Sequence, residues 1–180
     1  MSGPLERDYH DQVWGVPEHD ERALFRMLIL EGQQAGLSWS TILKKMDALR
    51  AAYDDFDPEK LACYGEDKVE ALLQNPGIIR NRLKVRAAIG NARCYLKLCQ
   101  RHGSLGAFIW GYVGGRPIVN EWQSADQVPA ATDLSGRISK DLKALGFSFV
   151  GSTIVYAYLQ AIGVVNDHLA HCAFRRAPGR

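Results

Sequence analysis

Apolar residues recur at helical spacing through nearly the whole chain, and nowhere do they alternate long enough to make a convincing strand. Short segments rich in Gly, Pro, Asp and Ser separate the periodic stretches, so the expected fold is all-α with short connecting loops. With 180 residues, 47% of them hydrophobic, the chain can bury a sizeable core as one domain or as two small helical lobes sharing a cleft. A stable monomer is the expectation.

The periodicity predicts a helix from about Glu21 to Leu30, N-capped by Asp20, with Leu24, Met27, Leu28 and Glu31 on one stripe. A second follows Ser38, where Ile42, Met46, Leu49 and Tyr53 keep helical spacing. Asp57-Pro58 starts a short helix with proline at its first position, and another around Glu66 to Leu73 is closed by Asn75-Pro76-Gly77. The longest helix runs from about Arg82 to Gln100, burying Val85, Ile89, Ala92, Leu96 and Cys99; Gly103 ends it and Ser104 caps the next turn. Val113 to Thr132, with Gly114-Gly115, Pro117 and Pro129, reads as a lobe boundary or a mobile loop. Two helices follow, one carrying Leu134, Ile138, Leu142 and Leu145, the other Ile154, Val155, Tyr158, Leu159 and Ile162.

No apolar run approaches the roughly 20 residues that span a bilayer, and Met1 to His10 is polar with both charge signs, so neither secretion nor membrane insertion is indicated. Cys63, Cys94, Cys99 and Cys172 are too few and too irregular for a disulfide framework, which fits a reducing cytoplasm. The net charge of +2 says little, but its distribution says more. Between Glu70 and Glu121 there is no acidic residue, while Arg80, Arg82, Lys84, Arg86, Arg93, Lys97, Arg101 and Arg116 all fall there. Such a region attracts phosphates; a solvated helix face accounts for it equally.

Between the last two helices lies Gly146-Phe147-Ser148-Phe149-Val150-Gly151-Ser152, a tight connection that resembles a helix-hairpin-helix motif. In that motif the hairpin amides and the following helix N-terminus face a DNA phosphate without base preference. An ordinary glycine-containing turn between antiparallel helices has the same signature.

Glu31 closes the apolar run Met27-Leu28-Ile29-Leu30 and lies seven residues after Leu24, almost on the same face, so its carboxylate should be partly buried. It then needs a donor or a cation, which a ligand or a structural Arg could supply. Tyr9, Trp14 and Trp39 flank this segment, and aromatic rings can sandwich a flat base, although any one of them could equally be core. His168 and Cys172 stand four residues apart, which on a helix would put a nitrogen and a sulfur ligand on one face, as zinc prefers.

The blocks Tyr9-His10-Asp11, Trp14-Gly15-Val16-Pro17, Leu30-Glu31-Gly32-Gln33-Gln34-Ala35-Gly36-Leu37-Ser38-Trp39, Gly77-Ile78-Ile79-Arg80 and Val165-Asn166-Asp167-His168 together resemble the DNA-3-methyladenine glycosylase I family over nearly the whole chain. The resemblance implies a helix-hairpin-helix glycosylase acting on alkylated double-stranded DNA, with Glu31 hydrogen-bonding an extruded base inside a pocket of Tyr9, Trp14 and Trp39. It implies DNA contacts from Gly36 and Leu37, with Leu37 as an apolar wedge, and from Phe149, Val150, Gly151 and Ser152. It places Asp167 near where many other helix-hairpin-helix glycosylases carry a catalytic aspartate, in a family not thought to rely on it.

The same resemblance implies a structural zinc held by His10, His168, Cys172 and an N-terminal cysteine. That cysteine is absent from Met1 to Tyr9, so either the chain is shortened or the site differs, with His171 or water completing it. Glu6 stands where the family commonly has another pocket aromatic. The reaction expected is monofunctional hydrolysis leaving an abasic site; a non-catalytic DNA-binding module is the alternative.

Overall fold

The computed structural model describes residues 3–175 and is built almost entirely of helices. In chain order they are α1 (Pro4–Gln12), α2 (Glu21–Gln34), α3 (Trp39–Lys44), α4 (Met46–Ala52), α5 (Pro58–Ala62), α6 (Glu66–Gln74), α7 (Arg82–His102), α8 (Leu105–Gly111), α9 (Asp133–Ala144) and α10 (Ser152–Ala161). α2 is central: α3, α7 and α8 pack on one side of it and α10 on another, while α5 and α6 cover α7 and α9 covers α10. One contiguous apolar core, including Leu24, Phe25, Val85, Leu98, Ile138 and Tyr158, runs through both groups. Among the described residues no helix is long and apolar enough to cross a membrane.

Asp20 caps α2, its Oδ1 accepting from the Ala23 amide at 2.8 Å, and the helix continues one turn beyond the predicted Leu30. That extra turn carries Glu31, Gly32 and Gln33, all buried, so the helix is stabilised there by packing rather than by an apolar sequence. Glu21, beside the cap, ties a second helix in place by accepting from the amides of Leu105 at 3.0 Å and Gly106 at 2.8 Å, the unsatisfied N–H groups at the start of α8.

Several expectations need correction. The helix expected after Ser38 is two helices, broken at Lys45. α1 carries no predictive apolar stripe because none of its residues is buried; it is marked instead by Pro4 at its start and by Glu6, whose carboxylate accepts from the Gly3 amide at 2.9 Å. In α7, Tyr95 and Leu98 are buried and Leu96 and Cys99 only partly so, because the buried stripe drifts around a 21-residue helix.

The Val113–Thr132 connection is not featureless. Ile118 and Val119 (β1) pair in parallel with Val165 and Asn166 (β2), the Ile118 amide donating to the Val164 carbonyl at 2.9 Å. Two residues per strand are too few for alternation to register in a sequence.

The chain after β2 is held by Asp167, which is 2% exposed. Its Oδ1 accepts from Asn120 Nδ2 at 2.6 Å and Trp122 Nε1 at 2.7 Å; its Oδ2 accepts from Tyr156 Oη at 2.6 Å and Gln160 Nε2 at 2.7 Å. Four donors from two elements converge on one buried carboxylate, which is therefore a knot joining the connection, α10 and the C-terminal segment.

Candidate active site

α2 delivers Glu31 into the interior at 4% exposure. Among the described residues the carboxyl has no hydrogen-bond or ion-pair partner, and burial alone pushes its pKa up to about 8. The structural salt bridge that could have explained a buried acid here is absent from the described residues. Tyr9 of α1 lies close enough that burial first, and then the Glu31 charge, hold its phenol well above the ordinary tyrosine range.

The Tyr9 ring sits 5.0 Å from that of Trp39 at 46°, so α1 and α3 meet over the end of α2 through the two predicted pocket aromatics. The indole Nε1 of Trp39 is buried and makes no hydrogen bond among the described residues. At one end of α2 a buried indole donor is thus left unsatisfied near a carboxyl that has no protein partner among the described residues, a costly arrangement in a folded protein unless a ligand supplies the partners. Trp14 is placed differently: its ring lies 5.9 Å from His10 and 4.7 Å from His168, so it bridges toward the histidines.

After α2, Gly36 adopts φ +75° and exposes Leu37, whose amide donates back to the Gln34 carbonyl at 2.6 Å. Ser38 then caps α3, its Oγ accepting from the Thr41 amide at 3.2 Å. Leu37 is thus exposed on a glycine-initiated turn six residues after Glu31.

The Gly146–Ser152 hairpin joins α9 to α10 and rests on α7. The side-chain amide of Asn91 clasps it from both sides, Nδ2 donating to the Ser148 carbonyl at 2.9 Å and Oδ1 accepting from the Ser148 amide at 2.8 Å. Ser139 Oγ donates to the Val150 carbonyl at 2.6 Å. Val150 itself is 1% exposed, so of the four expected DNA contacts this one can act only through its backbone. Phe149 holds a positive φ of +55°, and Gly151, the N-cap of α10, leaves that helix's first amides without a side-chain acceptor. A Cβ on Gly32 would lie 3.3 Å from that of Phe149, which places the hairpin directly against the residue after Glu31.

Half of the basic region is engaged within the protein. Arg82 pairs with Glu70, Arg86 Nη2 donates to Glu66 Oε2 at 2.7 Å, and Arg93 donates to the carbonyls of Ala62 at 2.8 Å and Tyr64 at 3.2 Å. Lys84 is buried. Arg80, Lys97, Arg101 and Arg116 remain exposed, so the acid-free stretch exaggerates the charge available to a phosphate. Its acidic partners sit on α6, just outside the stretch, where a sequence count misses them.

His10, His168 and Cys172 come together, their ligand atoms all within 4.8 Å of one another and Cys172 Sγ 3.9 Å from His10 Nε2. This happens without the expected helix: residues 167–175 form turns and coil, and the cluster is assembled from α1 and the segment after β2. His10 Nδ1 lies 2.7 Å from Asp11 Oδ1 and His168 Nδ1 lies 2.9 Å from Asn166 Oδ1, contacts that orient both rings. Asp11 and Asn166 were not singled out from the sequence as supporting groups; their only signal was adjacency to the histidines. His171 is exposed and outside the cluster.

The methyladenine glycosylase family model matches residues 1–176. The chain is 49% identical over 169 residues to DNA-3-methyladenine glycosylase 1 of Escherichia coli (strain K12), covering 94% of this chain and 90% of that protein. The structure of a 3-methyladenine DNA glycosylase I from Staphylococcus aureus is similar with a TM-score of 0.96 at 40% identity, covering 98% of this chain and 94% of that one. A variant of 3-methyladenine DNA glycosylase I solved in complex with 3-methyladenine gives a TM-score of 0.96 at 39% identity, covering 99% and 96%. The sequence match, the shared helical fold and a buried carboxylate with no partner among the described residues agree: this chain belongs to the methyladenine glycosylase family.

Proposed function

We propose that this protein is a monofunctional DNA-3-methyladenine glycosylase that takes an alkylated base out of duplex DNA and hydrolyses its glycosidic bond. The observation that carries this reading is Glu31, a buried carboxylate with no partner among the described residues. Methylation at N3 gives the base a positive charge, so an ionised Glu31 and electron-rich rings bind it better than a neutral purine. The charge also makes the base a good leaving group. Water supplies the new bond to the sugar carbon, the glycosidic electron pair neutralises the departing base, and the proton of the water is released. Binding and orientation then supply most of the catalysis.

Tyr9 and Trp39 would wall the pocket, with Trp14 on the side toward the histidines, Leu37 would occupy the space the base vacates, and the backbone of Phe149, Val150, Gly151 and Ser152 would hold a phosphate. Two lysines near the pocket segment, Lys45 and Lys84, are already engaged with backbone carbonyls. Lys45 Nζ donates to the Pro76 carbonyl at 2.9 Å, and Lys84 is bound to carbonyls of α2.

The test is chromatography of the products when purified protein meets methylated duplex DNA. Free 3-methyladenine and abasic sites are expected, with no covalent complex after borohydride. A trapped complex would contradict the monofunctional chemistry, and release no faster than the spontaneous background would leave a DNA-binding module.

We also propose that His10, His168 and Cys172 hold a structural zinc ion, with water as fourth ligand. Tetrahedral zinc with bonds of roughly 2.0–2.3 Å spaces its ligands roughly 3.3–3.8 Å apart, so the observed cluster needs only a modest contraction. A metal there would tie α1 to the C-terminal segment. Protein prepared without added zinc is expected to carry about one zinc per chain, and a chelator to lower its melting temperature. Metal-free protein with an unchanged melting temperature would refute this assignment.

A further inference from the structure

Lys84 belongs to the acid-free stretch, yet its side chain turns inward and is 6% exposed. Its Nζ donates to the Gln33 carbonyl at 2.9 Å and to the Ala35 carbonyl at 2.6 Å. Gln33 Nε2 returns a bond to the Lys84 carbonyl at 3.1 Å. The first turn of α7 is thereby tied to the last carbonyls of α2, two residues past Glu31 and one before Gly36.

α2 needs this tie. Its C-cap Ala35 has an extended conformation, φ −44° and ψ 117°, and sends no backbone amide back into the helix. Unsatisfied carbonyls at a helix end are ordinarily met by such an amide or by water. Here the Leu37 amide meets the Gln34 carbonyl, and an ammonium meets those of Gln33 and Ala35, favourably placed at the negative end of the helix dipole but largely removed from water with no carboxylate partner among the described residues. Merely closing a helix does not call for a desolvated charge, since an apolar side chain of similar volume is often as stable. What the charge adds is direction: two short bonds fix the angle at which the chain leaves α2 toward Leu37.

We infer that Lys84 is a positioning residue for excision, holding the Gly36-Leu37 turn at the angle from which Leu37 enters the duplex. This rests on the proposed glycosylase function and adds to it a residue that touches neither base nor DNA. Through Gln33 it acts on the exit of α2 and not on the carboxyl of Glu31, so it should affect duplex opening and leave the affinity of the pocket for a free base intact.

The experiment compares Lys84→Met, Leu37→Ala and the double variant with the parent protein. Single-turnover excision is measured from a methylated duplex, and binding of free 3-methyladenine by intrinsic tryptophan fluorescence. Lys84→Met is expected to slow duplex excision by about 10- to 100-fold, the scale of an ångström-level misplacement, with free-base affinity changed less than about twofold. Because Lys84 acts through Leu37, the double variant should be no slower than the slower single variant. Penalties that multiply, or a parallel loss of free-base binding, would overturn the inference. If Lys84→Met does not fold, Lys84→Gln, which keeps one N–H donor, carries the same comparison. Parent protein that releases no base would instead remove the glycosylase reading on which the inference rests.

Discussion

Asp167→Ala is expected to destabilise the protein by about 3–5 kcal/mol, enough to leave much of it unfolded at 37 °C. The substitution strands the side-chain donors of Asn120, Trp122, Tyr156 and Gln160 around a buried gap, and each loses a charge-assisted bond. It also releases the link between the β1 connection and α10, which helps to position His168 and Cys172. Asp167→Asn is a milder version: an amide nitrogen facing a shell of donors must oppose at least one of them, at a cost of about 1–3 kcal/mol. Denaturant unfolding measures both losses. Folded Asp167→Asn protein should excise within a few-fold of the parent rate, because the carboxylate's four hydrogen bonds among the described residues all come from structural side chains. A stable Asp167→Asn protein with excision reduced 100-fold would return this aspartate to the chemistry.

Glu31→Gln should have the larger effect on activity and the opposite effect on stability. The amide still offers an acceptor to the base but no charge to oppose its cation, which removes about 2–3 kcal/mol of transition-state stabilisation, or about 30- to 150-fold in rate. The folded carboxyl ionises near pH 8, whereas the reference value is 4.5. Between those values the folded state holds a proton that the unfolded state has lost. Stability from this group is therefore greatest below about pH 4.5 and falls as pH rises to 8, by about 1.4 kcal/mol per unit as an upper limit. Glu31→Gln removes that slope, so the variant should melt higher than the parent at pH 8. A site that is more stable without its acid is one built for a ligand.

The fold and the site were legible in the sequence to different degrees. Helix starts marked by Asp20, Asp57-Pro58 and Ser104 could be read because capping is local chemistry, and each of these residues caps as expected. α1 was missed because a helix with no buried residue leaves no periodic trace, and the β1–β2 bridge because its pairing is long-range and two residues deep. Glu31 reads as a buried acid from its place on an apolar stripe, but only the packed structure shows that no cation among the described residues reaches it. Lys84 marks the opposite limit: in sequence it is one basic residue among eight, and only the fold turns it inward. His168 and Cys172 come together through coil and not through the helical spacing that their separation suggests in sequence.

In the proposed function, recognition of a cationic base falls to a buried carboxylate that has no partner among the described residues. The pH dependence of kcat/KM for excision of 3-methyladenine from duplex DNA, measured for the parent protein and for Glu31→Gln, tests it most directly. For the free enzyme, kcat/KM should rise with pH through a midpoint near 8 and level off about one unit above it, while Glu31→Gln should be slower by about 30-fold or more on the plateau and show no such rise. Coincident profiles for the two proteins would contradict it.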